Sequence, residues 1–262
     1  MAPSSLRAIA LHTARQLGAL ELAKNPGQTA GGHFETAVKN FVEASFPHLS
    51  AVRLGNWTVQ NVGGKRATDH VAHFHPYRHL DDLARAIELN RELQSILGNS
   101  YTVSPDVLLL RDAVTDEELN SGMEQVVDDL TGLMSPFRAS NAIRQDELAG
   151  QIPKFVHAVI SCKWTMRSDR SQNTRSEALN LIRNRKGRTP HIVAVTAEPS
   201  LSRIASLALG TGDIDIVYHA FLPELMRAAE EVGTDDAQEM LETLVKGDRL
   251  RDIADMPLDL AV

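Results

Sequence analysis

The chain has 262 residues, of which 43% are hydrophobic and 23% charged, so it is long enough for one large domain or two small ones. Its only cysteine, Cys162, excludes an intramolecular disulfide, and no apolar run approaches the roughly 20 residues that span a bilayer. We therefore expect a protein of a reducing cytoplasm, neither secreted nor embedded. The net charge of −7 at first disfavours a polyanionic partner.

The predicted elements in the first part of the chain are mostly helical. An amphipathic helix is predicted over 4–24, a turn-rich break over 25–32, and a second helix after the break, with one apolar face. A strand over 54–62, an irregular histidine-rich stretch over 63–80 and a helix over 81–97 follow.

The rest of the chain contains the more strongly apolar segments. Strands and helices alternate here, and we find no internal repeat and no linker rich in Pro, Gly or Ser. The simplest architecture is a single α/β domain over 1–262 with a mixed central sheet flanked by helices. The predicted strands are 104–111, 155–164, 191–196 and 213–219, and the predicted helices are short pieces within the polar stretch 112–150, then 171–184, 201–209 and two at the C-terminal end.

The charge along the chain is unevenly distributed. From Lys163 to Arg188 there are eight basic residues and only two acidic ones, so the remainder is strongly acidic. A local basic patch on an acidic protein suits a nucleic-acid groove whose surroundings stay negative. A solvated helix face explains the same pattern, and charge alone leaves both explanations open.

Two predicted strand ends carry residue types that can hold a divalent cation. Pro105-Asp106 opens one strand, Ser161-Cys162-Lys163 ends the next, and Glu177 lies on the helix that follows. Mg²⁺ prefers hard oxygen ligands and keeps several waters, so one or two carboxylates and a substrate phosphate suffice. The metal would withdraw charge from a scissile phosphate, and a lysine with a lowered pKa could orient or deprotonate the attacking water. The pattern therefore suggests a metal-dependent phosphodiesterase, although Asp106 could equally cap a turn and Lys163 could extend from a strand end.

A resemblance favours the functional explanation. Pro105-Asp106, Ser161-Cys162-Lys163 and Glu177 resemble the PD…K…E variant of the PD-(D/E)xK nuclease superfamily, and in particular the type II restriction endonucleases that recognise CCGG. The similarity covers most of the chain and weakens in 1–24 and 112–150. The segments that carry it are SCKWTMRSDRSQNTRSEALNLIRNRKGRTPHIVAVTAEPS, PGQTAGGHFE, YTVSPD, ALGTG and MPLDLAV.

The resemblance implies a restriction-endonuclease-like fold and Mg²⁺-dependent hydrolysis of phosphodiester bonds in double-stranded DNA. Ser161 occupies the usual acid position of D/E-x-K, and the resemblance implies that Glu177 supplies the missing carboxylate. Asp106, Glu177 and the carbonyl of Cys162 would then bind the metal. Lys163 and Ser161 would complete the catalytic set.

A further acid is implied on the second helix. Glu35 matches an active-site acid of the CCGG enzymes, where it would act through metal-bound water. An ordinary exposed glutamate is the alternative.

The segment Arg167-Ser168-Asp169-Arg170 directly follows the strand that ends at Lys163. Guanidinium groups bind guanine bidentately and carboxylates accept from the cytosine amino group, so this loop could read adjacent C·G pairs; a salt-bridged loop is the alternative. The resemblance assigns Arg167, Asp169 and Arg170 to CCGG, and Arg183, Arg185, Lys186 and Arg188 are expected to contact phosphate or support the fold.

The flanking base pair and the stagger of the cut come from the resemblance as well. It assigns Arg203 to the outer G·C pair and Gln28 to the minor groove, which suggests GCCGGC as the site and a four-base 5′ overhang. A palindrome requires a two-fold symmetric reader, so we expect a homodimer. The resemblance further implies a homotetramer that binds two DNA copies, in a bacterial cytoplasm.

Two other functions stay open, namely a structure-specific repair nuclease of the same superfamily and a catalytically silent DNA-binding protein. His70, His73, His75 and His79 could suggest zinc, but no cysteine lies nearby and their spacing fits no single face, so we favour loop histidines near DNA or a subunit interface. The Cys162 thiol is expected in the core.

Overall fold

A computed structural model describes residues 5–18, 27–62, 71–80, 83, 86, 89, 105–141, 154–166, 168–210 and 212–262. The strands are β1 (Trp57–Asn61), β2 (Val107–Asp112), β3 (Lys154–Lys163), β4 (His191–Thr196), β5 (Ile216–His219) and β6 (Leu250–Asp252). The helices are α1 (Ser5–Gln16), α2 (Gly27–Ser45), α3 (Asp116–Leu119), α4 (Ser168–Asn184), α5 (Leu201–Ala208), α6 (Leu222–Val232), α7 (Asp235–Lys246) and α8 (Met256–Ala261). Short 3-10 helices cover Phe46–Leu49, Val71–His73 and Ile253–Asp255.

The six strands form one mixed sheet in the order β1-β2-β3-β4-β5-β6. The pairs β1–β2 and β2–β3 are antiparallel, and the pairs from β3 to β6 are parallel. Strands β3 and β4 are nearly continuous apolar runs because helices cover both faces of the sheet. The predicted mixed central sheet is therefore confirmed.

Two apolar cores lie on opposite faces of this sheet. Helices α1, α4, α5, α6 and α7 cover one face, and α2 and α8 cover the other. Alternation along β3 divides its side chains between them, so that Val159 joins the first core and Ile160 the second. Because β2 is antiparallel to β3, and β3, β4 and β5 are parallel, the start of β2 lies at the same edge of the sheet as the ends of the other three strands. This edge lies between the two helical layers.

The predictions for the first helices were wrong at their boundaries. Helix α1 ends at Gln16, followed by Gly18 with a φ of 64°, a conformation that commonly ends a helix. Helix α2 begins at Gly27, inside the predicted 25–32 break, because burial of its apolar face outweighs the cost of roughly 1 kcal/mol for each glycine.

Other boundaries differ in the second half. Helix α4 begins at Ser168 rather than near 171, and β5 takes up only the last part of the predicted 213–219 strand. Strand β6 and helix α8 were not predicted, since three and six residues are too short to show a period. The predicted helix over 81–97 lies almost wholly outside the described residues. Within the described ranges, no helix has both the length and the apolar character needed to cross a membrane.

Candidate active site

The predicted catalytic pair lies at the sheet edge where β3 ends. Asp106 directly precedes β2, and the antiparallel register Val107↔Ile160 brings it beside the last residues of β3. Its Oδ2 accepts hydrogen bonds from the Lys163 ammonium at 2.8 Å and from the Cys162 backbone N–H at 2.6 Å. The Asp106 and Lys163 side chains are only 20% and 19% exposed, so this ion pair is partly desolvated.

Helix α4 brings Glu177 to the same edge from one face of the sheet. Ala178 and Leu181 pack into the core against that face. The helix is further anchored by Arg175, whose Nε donates to the buried Asp213 carboxylate at 2.6 Å. Glu177 therefore sits beside Ser161 in the wall of the cleft while keeping access to solvent.

Helix α2 brings Glu35 towards the edge from the other face. Phe34 and Val38 of this helix pack into the second core, with Cys162. Phe34 also contacts Trp164, the residue after β3, with ring centroids 5.5 Å apart. Packing on both sides of Glu35 leaves its side chain half-buried.

Electrostatic coupling ties these acids into one site. Desolvation raises the pKa of Glu177, and Asp106 raises it further, while the Lys163 ammonium lowers it. The pKa of Glu35 is raised by the same causes, desolvation first and then Asp106, with Lys163 opposing. Glu35 and Glu177 are thus each coupled electrostatically to Asp106 and Lys163, and the negative charge of these acids favours a cation at this edge.

The expected lowering of the Lys163 pKa beside a bound metal stays a prediction. Burial lowers the pKa of this ammonium, but the charge and hydrogen bond of Asp106, together with Glu177, raise it above its ordinary value. In this ion pair Lys163 is a protonated hydrogen-bond donor to Asp106.

The donor set at this edge fits a hard divalent cation. Oδ1 of Asp106 makes no hydrogen bond to any described residue. The N–H and C=O of one strand residue point to the same side, so the carbonyl of Cys162 faces the Asp106 side. Across the described ranges no group of three or more His, Cys, Asp or Glu residues is placed to hold a metal ion. Two carboxylates with a carbonyl and waters suit Mg²⁺, which seldom uses an all-protein cage.

The thiol of Cys162 lies in the core, as predicted. Its side chain is 4% exposed and packs in the second core, on the opposite face from Lys163. Burial raises the pKa of the thiol well above its ordinary value, so it is no nucleophile.

The structure describes the predicted base readers only in part. Arg167 lies outside the described residues, as do the side chains of Asp169, Arg170 and Gln28. The backbone of Asp169 and Arg170 forms the first turn of α4, so these two residues belong to a helix start and not to a loop. Gln28 is in the first turn of α2.

Arg203 lies on α5 with its side chain 44% exposed. Its Nη1 donates to the carbonyl of Met166 at 2.8 Å and lies 3.4 Å from Oε1 of Glu198. Glu198 is 1% exposed and was missed from the sequence. Its position just after β4, at the same sheet edge as Asp106, was the available signal, since ligands bind at the carboxyl ends of parallel strands.

The basic residues at the end of α4 lie at the opposite edge of the sheet. Arg188 lines a cavity there with His157 and His191, at the starts of β3 and β4. Arg183, Lys186 and Arg188 are exposed. Their expected contacts with DNA phosphates stay a prediction.

Part of the histidine-rich stretch is also at that opposite edge. His75 lines the same cavity, and its backbone N–H donates to the carbonyl of Lys154, the first residue of β3. His70 lies outside the described residues.

Comparisons with known proteins agree over nearly the whole chain. The family model described as NgoMIV restriction enzyme matches residues 2–262. The type II restriction enzyme NgoMIV of Neisseria gonorrhoeae is 48% identical over 237 residues, which cover 90% of this chain and 79% of that protein. A solved complex of the restriction endonuclease PspGI with substrate DNA overlaps 39% of this chain and 38% of its own, at 17% identity and a TM-score of 0.26. The chain therefore belongs to the NgoMIV restriction enzyme family and is a type II restriction endonuclease.

Proposed function

We propose that the enzyme uses Mg²⁺ to cut double-stranded DNA at GCCGGC and leaves a four-base 5′ overhang. The observation that carries the proposal is the partly buried Asp106–Lys163 ion pair at the end of β3, with Glu177 electrostatically coupled to both. A carboxylate cluster beside a protonated lysine suits a divalent cation and a phosphate together.

Asp106, Glu177 and the Cys162 carbonyl would hold the cation, and Glu35 would act through one of its waters. When bound, Mg²⁺ withdraws charge from the scissile phosphate and makes a coordinated water more acidic. Lys163 is an ammonium 2.8 Å from Asp106, so it can donate to the attacking water or to a phosphate oxygen.

Ser161 has a supporting role. Its hydroxyl lies 3.4 Å from Oδ2 of Asp106, a long hydrogen bond, on the face of the sheet that Glu177 lines. Because Ser161 stands where the D/E-x-K motif has an acid, Glu177 would supply the second carboxylate for the metal.

Sequence recognition is assigned to the residues that follow β3. Arg167, Asp169 and Arg170 would read CCGG in the major groove, and the placement of Asp169 and Arg170 in the first turn of α4 supports this role. A helix start can enter the major groove, and its backbone N–H groups favour a nearby phosphate. Arg203 would read the outer G·C pair and Gln28 the minor groove.

A palindromic site favours a homodimer, and we extend this to a homotetramer that binds two DNA copies. Support comes from several apolar side chains between β2 and β3 that are exposed to solvent. Exposed apolar groups of this kind are typical of surfaces that contact another subunit. The exposed side chains are Met123, Val126, Leu130 and Met134. The single, buried cysteine suits the reducing cytoplasm of a bacterium.

The test is digestion of a plasmid that carries several GCCGGC sites, with and without Mg²⁺. We expect discrete fragments only with the metal, and none from Asp106→Asn. Glu242→Gln is the matched control, since Glu242 is an exposed carboxylate paired with Lys246 on α7 and should leave cleavage unchanged.

Three results would contradict the proposal. A smear would indicate a nuclease without sequence specificity. Cleavage of branched DNA alone would indicate a repair nuclease. Tight binding to GCCGGC with no cleavage at any Mg²⁺ concentration would indicate a silent DNA-binding protein.

A further inference from the structure

We propose that Glu198 is a positioning residue for sequence recognition. It holds the Arg203 guanidinium for the outer G·C pair and fixes the backbone that leads into the Arg167–Arg170 reader. This inference rests on the proposed function, because it assumes that both segments meet the DNA.

The Glu198 carboxylate is buried and joins two chain segments. Its Oε2 accepts from the backbone N–H of Met166 at 2.6 Å, and its Oε1 accepts from the backbone N–H of Ser200 at 3.0 Å. Met166 is itself 1% exposed and immediately precedes Arg167. A buried carboxylate is stable only with such donors, and the donors in turn need an acceptor. Removing the carboxylate would leave the N–H of Met166 unpaired, and the turn after β3 would lose its fixed position.

The backbone of Glu198 is connected to the end of the strand that carries Lys163. The N–H of Glu198 donates to the hydroxyl oxygen of Thr196 at 3.1 Å, and that hydroxyl donates to the carbonyl of Lys163 at 2.8 Å. The hydrogen-bonded path therefore runs from the catalytic lysine through Thr196 and Glu198 to Met166. The segments assigned to recognition and to cleavage are thus linked by hydrogen bonds.

Arg203 is held by only one of its nitrogens. Nη1 donates to the carbonyl of Met166 and approaches both carboxylate oxygens of Glu198, at 3.4 and 3.5 Å. Within the described ranges, Nε and Nη2 donate to no acceptor, and the side chain is 44% exposed. Bidentate binding of guanine O6 and N7 needs two N–H groups on an open edge of the guanidinium. The geometry leaves that edge available.

The test is Glu198→Gln in single-turnover cleavage of two duplexes, one with GCCGGC and one with ACCGGT. Glutamine keeps the size but loses the charge, and its single amide oxygen can accept from Met166 or from Ser200 but not from both. We expect the ratio of the two rates to fall by about tenfold or more. The matched control is Asp259→Asn, which also removes an arginine-paired carboxylate, bonded to Arg251 at 2.6 Å and to the Tyr218 hydroxyl at 2.8 Å, beside the far strands β5 and β6. The control should keep the wild-type ratio.

A double-mutant cycle separates positioning from general support. If Glu198 acts on the outer pair through Arg203, then E198Q has no further effect on the ratio in an R203A background. A purely structural role would slow both duplexes equally and keep the ratio, and that result would overturn the inference. If the E198Q protein does not melt cooperatively, Glu198→Asp is tested instead, because aspartate keeps the charge but has a shorter side chain. An unchanged ratio of the two cleavage rates in that variant overturns the inference as well. A wild-type enzyme that does not cut GCCGGC refutes the proposed function instead.

Discussion

Replacing Glu177 by glutamine is expected to raise the thermal stability of the metal-free protein and to weaken its stabilisation by Mg²⁺. Desolvation and the Asp106 charge raise the folded-state pKa of Glu177 above the ordinary value of 4.5. The folded state therefore binds its proton more tightly than the unfolded state. The stability that this carboxyl contributes is present below pH 4.5 and is lost as the pH rises through the raised folded pKa. Glutamine carries no charge at neutral pH, so the E177Q protein does not lose this stability.

The size of the Mg²⁺ effect follows from binding linkage. A ligand at about ten times its dissociation constant stabilises the folded state by roughly 1.4 kcal/mol. At about 2–4 °C for each kcal/mol in a large domain, the melting temperature should rise by about 3–6 °C in the wild type. Glu177 is one of the two carboxylates assigned to the ion. The melting temperature of E177Q should therefore rise by no more than about 1 °C at the same Mg²⁺ concentration.

Thermal unfolding with and without Mg²⁺ measures both effects on the same samples. Glu242→Gln removes an exposed carboxylate and should keep the full Mg²⁺ shift. An E177Q protein that Mg²⁺ stabilises as much as the wild type would refute the assignment of Glu177 to the ion. An apo E177Q protein less stable than the wild type would refute the account of its raised pKa.

Three further outcomes are expected. Arg170→Ala should lose about 1–3 kcal/mol of discrimination against a wrong inner base pair, measured as competitive binding in Ca²⁺; undiminished discrimination would exclude Arg170 as a reader. Cys162→Ala should cleave at near the wild-type rate but unfold with a free energy lower by about 1 kcal/mol, because the thiol is only packing; a lost activity would contradict the buried role. Binding to GCCGGC should weaken linearly with the logarithm of salt concentration, and a flat dependence would argue against phosphate contacts.

The sequence predicted the central strands because they are local signals, and the resemblance singled out Asp106 and Lys163, whose catalytic roles stay predictions. Strands β3 and β4 are apolar runs whose lengths can be read directly, and β4 was predicted at its observed bounds. Asp106 and Lys163 stand at strand ends, and the antiparallel pairing of β2 with β3 brings them together. The single-domain organisation stays a prediction.

What the sequence did not predict depends on distant contacts. The raised pKa of Lys163 follows from an ion pair across two strands, and the burial of Glu198 follows from the packing of two segments that are distant in sequence. The start of α4 at Ser168 and the three-residue β6 leave no periodic pattern. Tertiary structure decided each of these against a weak or absent local preference.

Sequencing the ends of DNA digested by the purified enzyme with Mg²⁺ tests the central claim most directly. The account predicts that every end maps to GCCGGC, with the same four-base 5′ overhang on both strands. Ends at unrelated sequences, blunt ends at GCCGGC, or uncut DNA would contradict the assignment of this carboxylate and lysine edge to site-specific cleavage.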